Sequence, residues 1–264
     1  MIRPGRWFGA GLVACIAIAA ISAPLLAPQN PYASGIDMFA LPSAAHWLGT
    51  DYLGRDVLSR VIYGARASLA IGFGAALVAM VIGVPMGLIA GALRGAVDVA
   101  LAAVIDLFIA LPGLVLALII TVMVGSNLRN LILVLGFVMW PPIARLVRGQ
   151  ALAIREMLFV EAARATGGKP MWIIRRHVWP GVLPVVAAQF STSVSFAIFT
   201  SASLSFLGLG IPPPAADWGG MVRAGYDYLA INPWMSLAPG AAVSLTVMGF
   251  YVIGRSFRSR GRQE

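Results

Sequence analysis

The chain has 264 residues, 59% of them hydrophobic and only 11% charged, with a mean hydropathy of +0.87. A soluble domain carries about 25% charged residues, so this is the composition of a polytopic membrane protein, and it leaves no stretch for a separate soluble domain. The net charge of +9 does not argue for nucleic acid, because the basic residues sit at the ends of apolar runs. One cysteine, Cys15, excludes an internal disulfide, and two distant histidines, His46 and His177, form no metal cluster.

Residues 7–27 follow Arg3 and Arg6 and form the first apolar run. The start shares the pattern of a signal peptide, and residues 12–15 that of a lipoprotein cleavage box. The apolar run continues well past Cys15, so an uncleaved first span is expected. Residues 28–66 read as an outer loop in which Asp37, Asp51 and Asp56 balance Arg55, Arg60 and Arg66, with Gly49 and Gly54 supplying turns on an exposed surface. The second span, 67–93, is free of charge, rich in Gly and Ala for close helix packing, and carries Pro85 as an expected kink.

The third span, 99–124, contains Asp106, an ionisable residue in an apolar run. Such a residue is a functional candidate, either pairing helices or meeting substrate. The fourth span, 130–148, holds Trp140 at the level of an aromatic belt and Pro141–Pro142, where a backbone break is expected. The fifth span, 185–209, is polar for a membrane helix. Gln189, Ser193 and Thr200 on it are candidates for lining a translocation path, with hydroxyl bonds between helices as the alternative. The sixth span, 233–254, leads to a basic tail with Arg255, Arg258, Arg260 and Arg262.

With six spans and both termini in the cytoplasm, fourteen of the nineteen Lys and Arg fall on inner segments. Arg55, Arg60, Arg66, Arg129 and Arg223 fall on outer ones. That asymmetry follows the positive-inside rule. It makes 149–184 a cytoplasmic loop. Within it, 151–166 is composed of helix formers, Gly167–Gly168 ends the helix, and Lys169–Pro170 opens a second. Leu158, Ala162 and Ala165 share a small, smooth face, suited either to a partner's groove or to anionic lipid.

The same loop carries a resemblance. Glu161-Ala162-Ala163, then Gly167, then the stretch closing at Pro180, is similar to the EAA loop of ABC importer permeases, with Trp179 where Leu is usual. HWLGTDYLGRDVLSR (46–60), GARASL (64–69), Asp98 and Asp106 with Leu111–Pro112, LSFLGLGIPPP (204–214), DWGGM (217–221) and WMSLAPGAAVSLTVMGF (234–250) extend the likeness over most of the chain. Together they resemble the second, C-type permease subunit of dipeptide, oligopeptide and nickel importers. Two departures stand out: Ala103 replaces an Arg, which puts a fixed Arg–Asp pair with Asp106 in question, and the acidic tail is basic.

The resemblance implies an all-α, type I ABC importer permease fold in a bacterial inner membrane. It implies a homologous permease, two cytoplasmic ATPase subunits and an extracytoplasmic solute-binding protein as partners, besides membrane lipid and without nucleic acid. The chain itself is expected to be non-catalytic and to hold no cofactor or metal. It has no GxxxxGK[ST] phosphate loop, so ATP would be used by the partner subunits. Glu161, Ala162, Ala163, Gly167 and Pro180 would couple to the ATPase. Gln189, Ser193, Thr200 and Asp106 would be candidates for the path. The expected cargo is a di- or oligopeptide, with nickel or a metal chelate as the alternative. A stand-alone channel or proton-coupled carrier and a membrane hydrolase are the rivals from other classes.

Overall fold

A computed structural model describes residues 4–93 and 95–258. The side chains of Arg6 and Arg258, and Arg3, Arg94, Arg260 and Arg262 altogether, lie outside the described residues. Helix follows helix: α1 (Pro4–Ile21), a single turn α2 (Ala23–Leu26), α3 (Val57–Ala92), α4 (Ala96–Ala110), α5 (Gly113–Val124), α6 (Leu128–Arg155), α7 (Leu158–Ala165), α8 (Pro170–Ile173), α9 (Trp179–Leu204), α10 (Trp218–Tyr226) and α11 (Trp234–Arg258). Short π-helical turns, Ile174–Val178 and Ser205–Leu209, join α8 to α9 and extend α9, so that 170–209 is one 40-residue helical rod, kinked near its end at Gly208, which stands at φ +89°.

Four helices are long and apolar enough to cross a membrane: α3, α6, the 170–209 rod and α11. The pair α4–α5 passes the same test but is bent by 83°. The described apolar stretch of α1, Trp7–Ile21, is shorter than a full crossing. The six-span expectation therefore rests on four long helices, one broken pair and one short helix.

The centre of the bundle is the α3–α6 pair. Gly83, Gly87 and Gly91 recur every fourth residue, which places them on one face of α3. A Cβ at these positions would meet the carbonyl oxygens of Trp140, Ala144 and Arg148 at 2.7, 2.5 and 2.6 Å. The two backbones touch, which only glycine permits. Gly136 does the same from α6, its Cβ position lying 2.5 Å from Val78. Around this seam Ala75, Ala79, Leu131, Leu135, Ile143 and Val147 are fully or almost fully buried. Dispersion contacts dominate such an interface, because lipid tails are as apolar as the side chains.

Several expectations change here. Pro141 and Pro142 do not break α6, which runs unbroken from Leu128 to Arg155. Pro85, where a kink is expected, also lies inside an unbroken helix, α3. Packing against neighbouring helices tolerates the lost N–H in a membrane. The break falls instead at Leu111–Pro112. The residue before proline is pushed out of the α region, and Leu111 is extended at φ −79°, ψ 131°.

The segment 28–66 is not a simple surface loop either. α3 begins at Val57, capped by Asp56, whose carboxylate accepts from Ser59 N–H at 2.8 Å. Asp51, Arg55, Asp56 and Arg60 are all buried. Arg55 Nε donates to Asp51 at 2.7 Å, Arg60 donates to the Pro31 carbonyl at 2.9 Å, and His46 Nδ1 lies 2.9 Å from Asp56. Asn232, from just before α11, lids the cluster by donating to the carbonyls of Ala40 and Thr50 at 3.0 and 3.2 Å. Trp218, 2% exposed, donates to the Val61 carbonyl at 2.8 Å and seats α10 on α3.

Candidate functional site: the coupling loop and the central cavity

α6 ends at Arg155, and the chain turns at Glu156–Met157 before α7 starts. The single helix expected over 151–166 is thus two helices, with α7 free to take its own direction. α7 is only eight residues long, so it depends on its fixings. Val160 is fully buried and joins the main core beside Ile173, Val178 and Val182, with Ala163 packed against it. The His177 ring sits 5.7 Å from Phe159 and 5.2 Å from Trp172, bracing α7 against the start of the rod. Its Nε2 is buried with no hydrogen-bond partner among the described residues.

The C-terminus of α7 closes as a Schellman motif. Gly168 N–H donates to the Ala163 carbonyl and Gly167 N–H to the Arg164 carbonyl, both at 2.9 Å. Gly167 stands at φ +87°, where a side chain is strained. Glu161 lies in the first turn and Arg164 in the last, each on the favourable end of the helix dipole.

What α7 leaves outside is the face read from the sequence. Leu158 is 83% exposed, and Glu161, Ala162 and Ala165 are exposed beside it. Ala163 points inward and is half-buried. Pro180 is exposed at the head of α9, on a different element from the other four.

Behind the loop, ion pairs tie the helix ends together. Arg148 Nε donates to Asp98 at 2.6 Å, and Arg155 donates to the carbonyls of Gly91 and Leu93 at 3.0 and 3.3 Å. Asp106 pairs with Arg145 of α6. With Ala103 on its own helix, Asp106 finds its arginine 39 residues away, so the pair exists by a route that short spacing cannot show. Both side chains are more than half exposed.

The four path candidates separate. Gln189 and Ser193 line a cavity of about 350 Å³ enclosed by the α4–α5 break, by α6 at Val138–Ile143 and by α9. Thr192, passed over in the sequence, lines it too. Thr200 does not: it is buried and donates to the Phe196 carbonyl at 2.8 Å, holding its own helix. Asp106 does not line it. A second cavity of about 510 Å³ lies among the 51–60 cluster, α10 and 205–215. It includes Asp217, 5% exposed, which caps α10 by accepting from Gly220 N–H at 3.2 Å. Burial pushes the Asp217 carboxyl above the usual carboxylate range, against the pull of the Gly220 and Gly219 N–H groups.

Residues 83–263 match the family model of the binding-protein-dependent transport system inner membrane component. The chain belongs to this family. As a permease of that kind it is 39% identical over 217 residues to the glutathione transport system permease protein GsiD of Pectobacterium atrosepticum, covering 82% of this chain and 72% of that protein. It is 37% identical over 249 residues to the dipeptide transport system permease protein DppC of Alkalihalophilus pseudofirmus, covering 94% and 82%. The probable D,D-dipeptide transport system permease protein DdpC of Escherichia coli is 37% identical over 90% of the chain and 80% of its own length. Among solved structures, an inward-facing form of the MetNI methionine ABC transporter superposes with a TM-score of 0.62 over 76% of this permease and 96% of that chain, at 24% identity. That likeness establishes the fold.

Proposed function

We propose that this permease is one half of the membrane path of an ATP-driven importer for short peptides. A homologous permease forms the other half, two cytoplasmic ATPase subunits supply the energy, and an extracytoplasmic binding protein delivers the cargo. The observation that carries the proposal is α7: a short helix locked by Val160, a glycine cap and an aromatic bracket, yet exposed on its Leu158–Glu161–Ala162–Ala165 face. A helix fixed on one side and bare on the other transmits a push instead of absorbing it.

In this reading 149–184 is cytoplasmic, 28–66 is periplasmic, and both termini are cytoplasmic in a bacterial inner membrane. Glu161, Ala162, Ala163 and Gly167 form the docking element, and Pro180, in the first turn of α9, belongs to the 170–209 rod that carries its movement into the membrane. ATP binding closes the ATPase dimer, α7 moves as a rigid lever, and the helices switch between outward and inward openings. The chain performs no chemistry and binds no cofactor; ATP is bound and hydrolysed by its partners. The names of the relatives, permeases of dipeptide and glutathione transport systems, support a peptide cargo.

Uptake is the test. Cells lacking this chain should lose accumulation of a labelled dipeptide and regain it with the full-length chain. Undiminished dipeptide uptake together with lost nickel uptake would replace the peptide reading by the metal one.

A further inference from the structure

The α4–α5 break lies in the middle of an apolar run, at membrane depth. There, an unpaired backbone group has no water to bond unless a cavity supplies it. The first turn of α5 has this problem. Its N-cap position is Pro112, which offers no side-chain acceptor, and the first backbone bond is from Leu116 N–H to the Pro112 carbonyl at 3.0 Å. The N–H groups of Gly113, Leu114 and Val115 are therefore left without a helical partner, at the positive end of a 12-residue helix dipole. Gly113 lines the 350 Å³ cavity.

Ser193, on α9, lines the same cavity. On the same helix, Thr192, Ser195, Thr200 and Ser203 each donate to a carbonyl one turn back. Ser193 makes no such bond, although it is 3% exposed and lines the cavity. Pro141 and Pro142 face the same space, and because they lack N–H they free the carbonyls of Phe137 and Val138. Among the described residues, no ionisable side chain lines the cavity. It offers donors on one side and acceptors on another, from backbone and hydroxyl groups and the Gln189 amide.

We propose that this cavity is a carboxylate subsite, in which the Gly113 N–H at the start of α5 and the Ser193 hydroxyl hold the free C-terminal carboxylate of a peptide in transit. Such a site reads the end of the peptide and ignores its side chains, and without a full positive charge it does not trap the cargo. The inference rests on the importer reading, and it can fail while that reading stands.

The test uses the purified whole transporter in lipid nanodiscs, with Cys15→Ser and Thr192→Cys in this chain. Trialanine and trialanine amide compete with N-ethylmaleimide for the cavity. Trialanine should protect Cys at 192 at about tenfold lower concentration than the amide, the scale of a helix-end interaction with an anion. Ser193→Ala should shrink the difference. Gly113→Val should abolish protection, since the space beyond a Cβ there is bounded only by Val138 at 3.4 Å. Equal protection by acid and amide, or protection by neither, overturns the subsite. Dipeptide uptake measured on the same transporter reports separately on the importer reading. If Thr192→Cys does not assemble, Phe196→Cys on the same wall takes its place.

Discussion

Replacing Gly87 with alanine tests the seam that holds the bundle together. The new methyl would stand 2.5 Å from the Ala144 carbonyl oxygen, where ordinary contact begins at 3.4 Å, so α3 and α6 must part locally by about 0.9 Å. Backbone cannot swing aside as a side chain tip can, and overpacking of this kind costs about 1–3 kcal/mol. Alanine also gains up to about 1 kcal/mol over glycine in a helix, which masks part of the loss. Gly149, on α6 with nothing within 4 Å of its Cβ position, provides the reference, because Gly149→Ala has the gain without the clash. The difference between the two variants isolates the contact. Thermal unfolding in mild detergent should place Gly87→Ala below Gly149→Ala by about 2–4 °C per kcal/mol, several degrees in all. Equal midpoints would refute the claim that backbone contact along 83–91 sets the packing.

Three further outcomes follow from the same geometry. Gly167→Asp puts a side chain at φ +87°, which costs about 1–2 kcal/mol locally, in open space that leaves the rest of the fold alone. The protein should reach the membrane, with ATP hydrolysis no longer coupled to uptake; normal uptake would contradict the lever. Asp217, whose carboxyl is raised by burial, favours folding in its protonated form, so stability should fall as pH rises from the ordinary aspartate range through the raised value. Asp217→Asn keeps the cap and should remove that pH dependence, while Asp217→Ala should remove it too and sit about 1 kcal/mol below Asp217→Asn; thermal unfolding across pH reads both. Ser193→Ala should weaken carboxylate protection of the cavity while leaving the unfolding midpoint nearly unchanged, because the hydroxyl bonds no carbonyl one turn back among the described residues, as its neighbours on α9 do.

The all-helical bundle and the glycine end of the loop helix are visible in the sequence because both are local. Uncharged runs, a Gly–Gly pair and a Lys–Pro start act on their neighbours, and Gly167 closes α7 as its position suggests. The family is legible too, since its motifs fall in order along the chain, and the match over 83–263 bears it out. The misreadings concern contacts made at a distance. Asp51, Arg55 and Arg60 look like the balanced charges of an open loop, yet they are buried where Asn232 and Trp218, more than 150 residues on, fasten to the backbone around them.

Proline was misjudged in both directions for one reason. A helix breaks or survives according to what packs around it, so α6 keeps Pro141–Pro142 while Leu111–Pro112 opens beside a cavity. Of the polar residues of the fifth helix, Gln189 and Ser193 face that cavity and Thr200 bonds its own backbone, a division set by helix rotation against α6. Composition alone does not carry that rotation.

The central claim is that α7 is a docking element for an ATPase. Affinity purification of the full-length chain from gently solubilised membranes, followed by mass spectrometry, measures it directly. The native chain should bring down a homologous permease and ATPase subunits, and Glu161→Lys, which reverses the charge on the exposed face, should keep the permease and lose most of the ATPase. A chain that comes down alone, or a Glu161→Lys chain that retains its ATPase in full, would contradict the account.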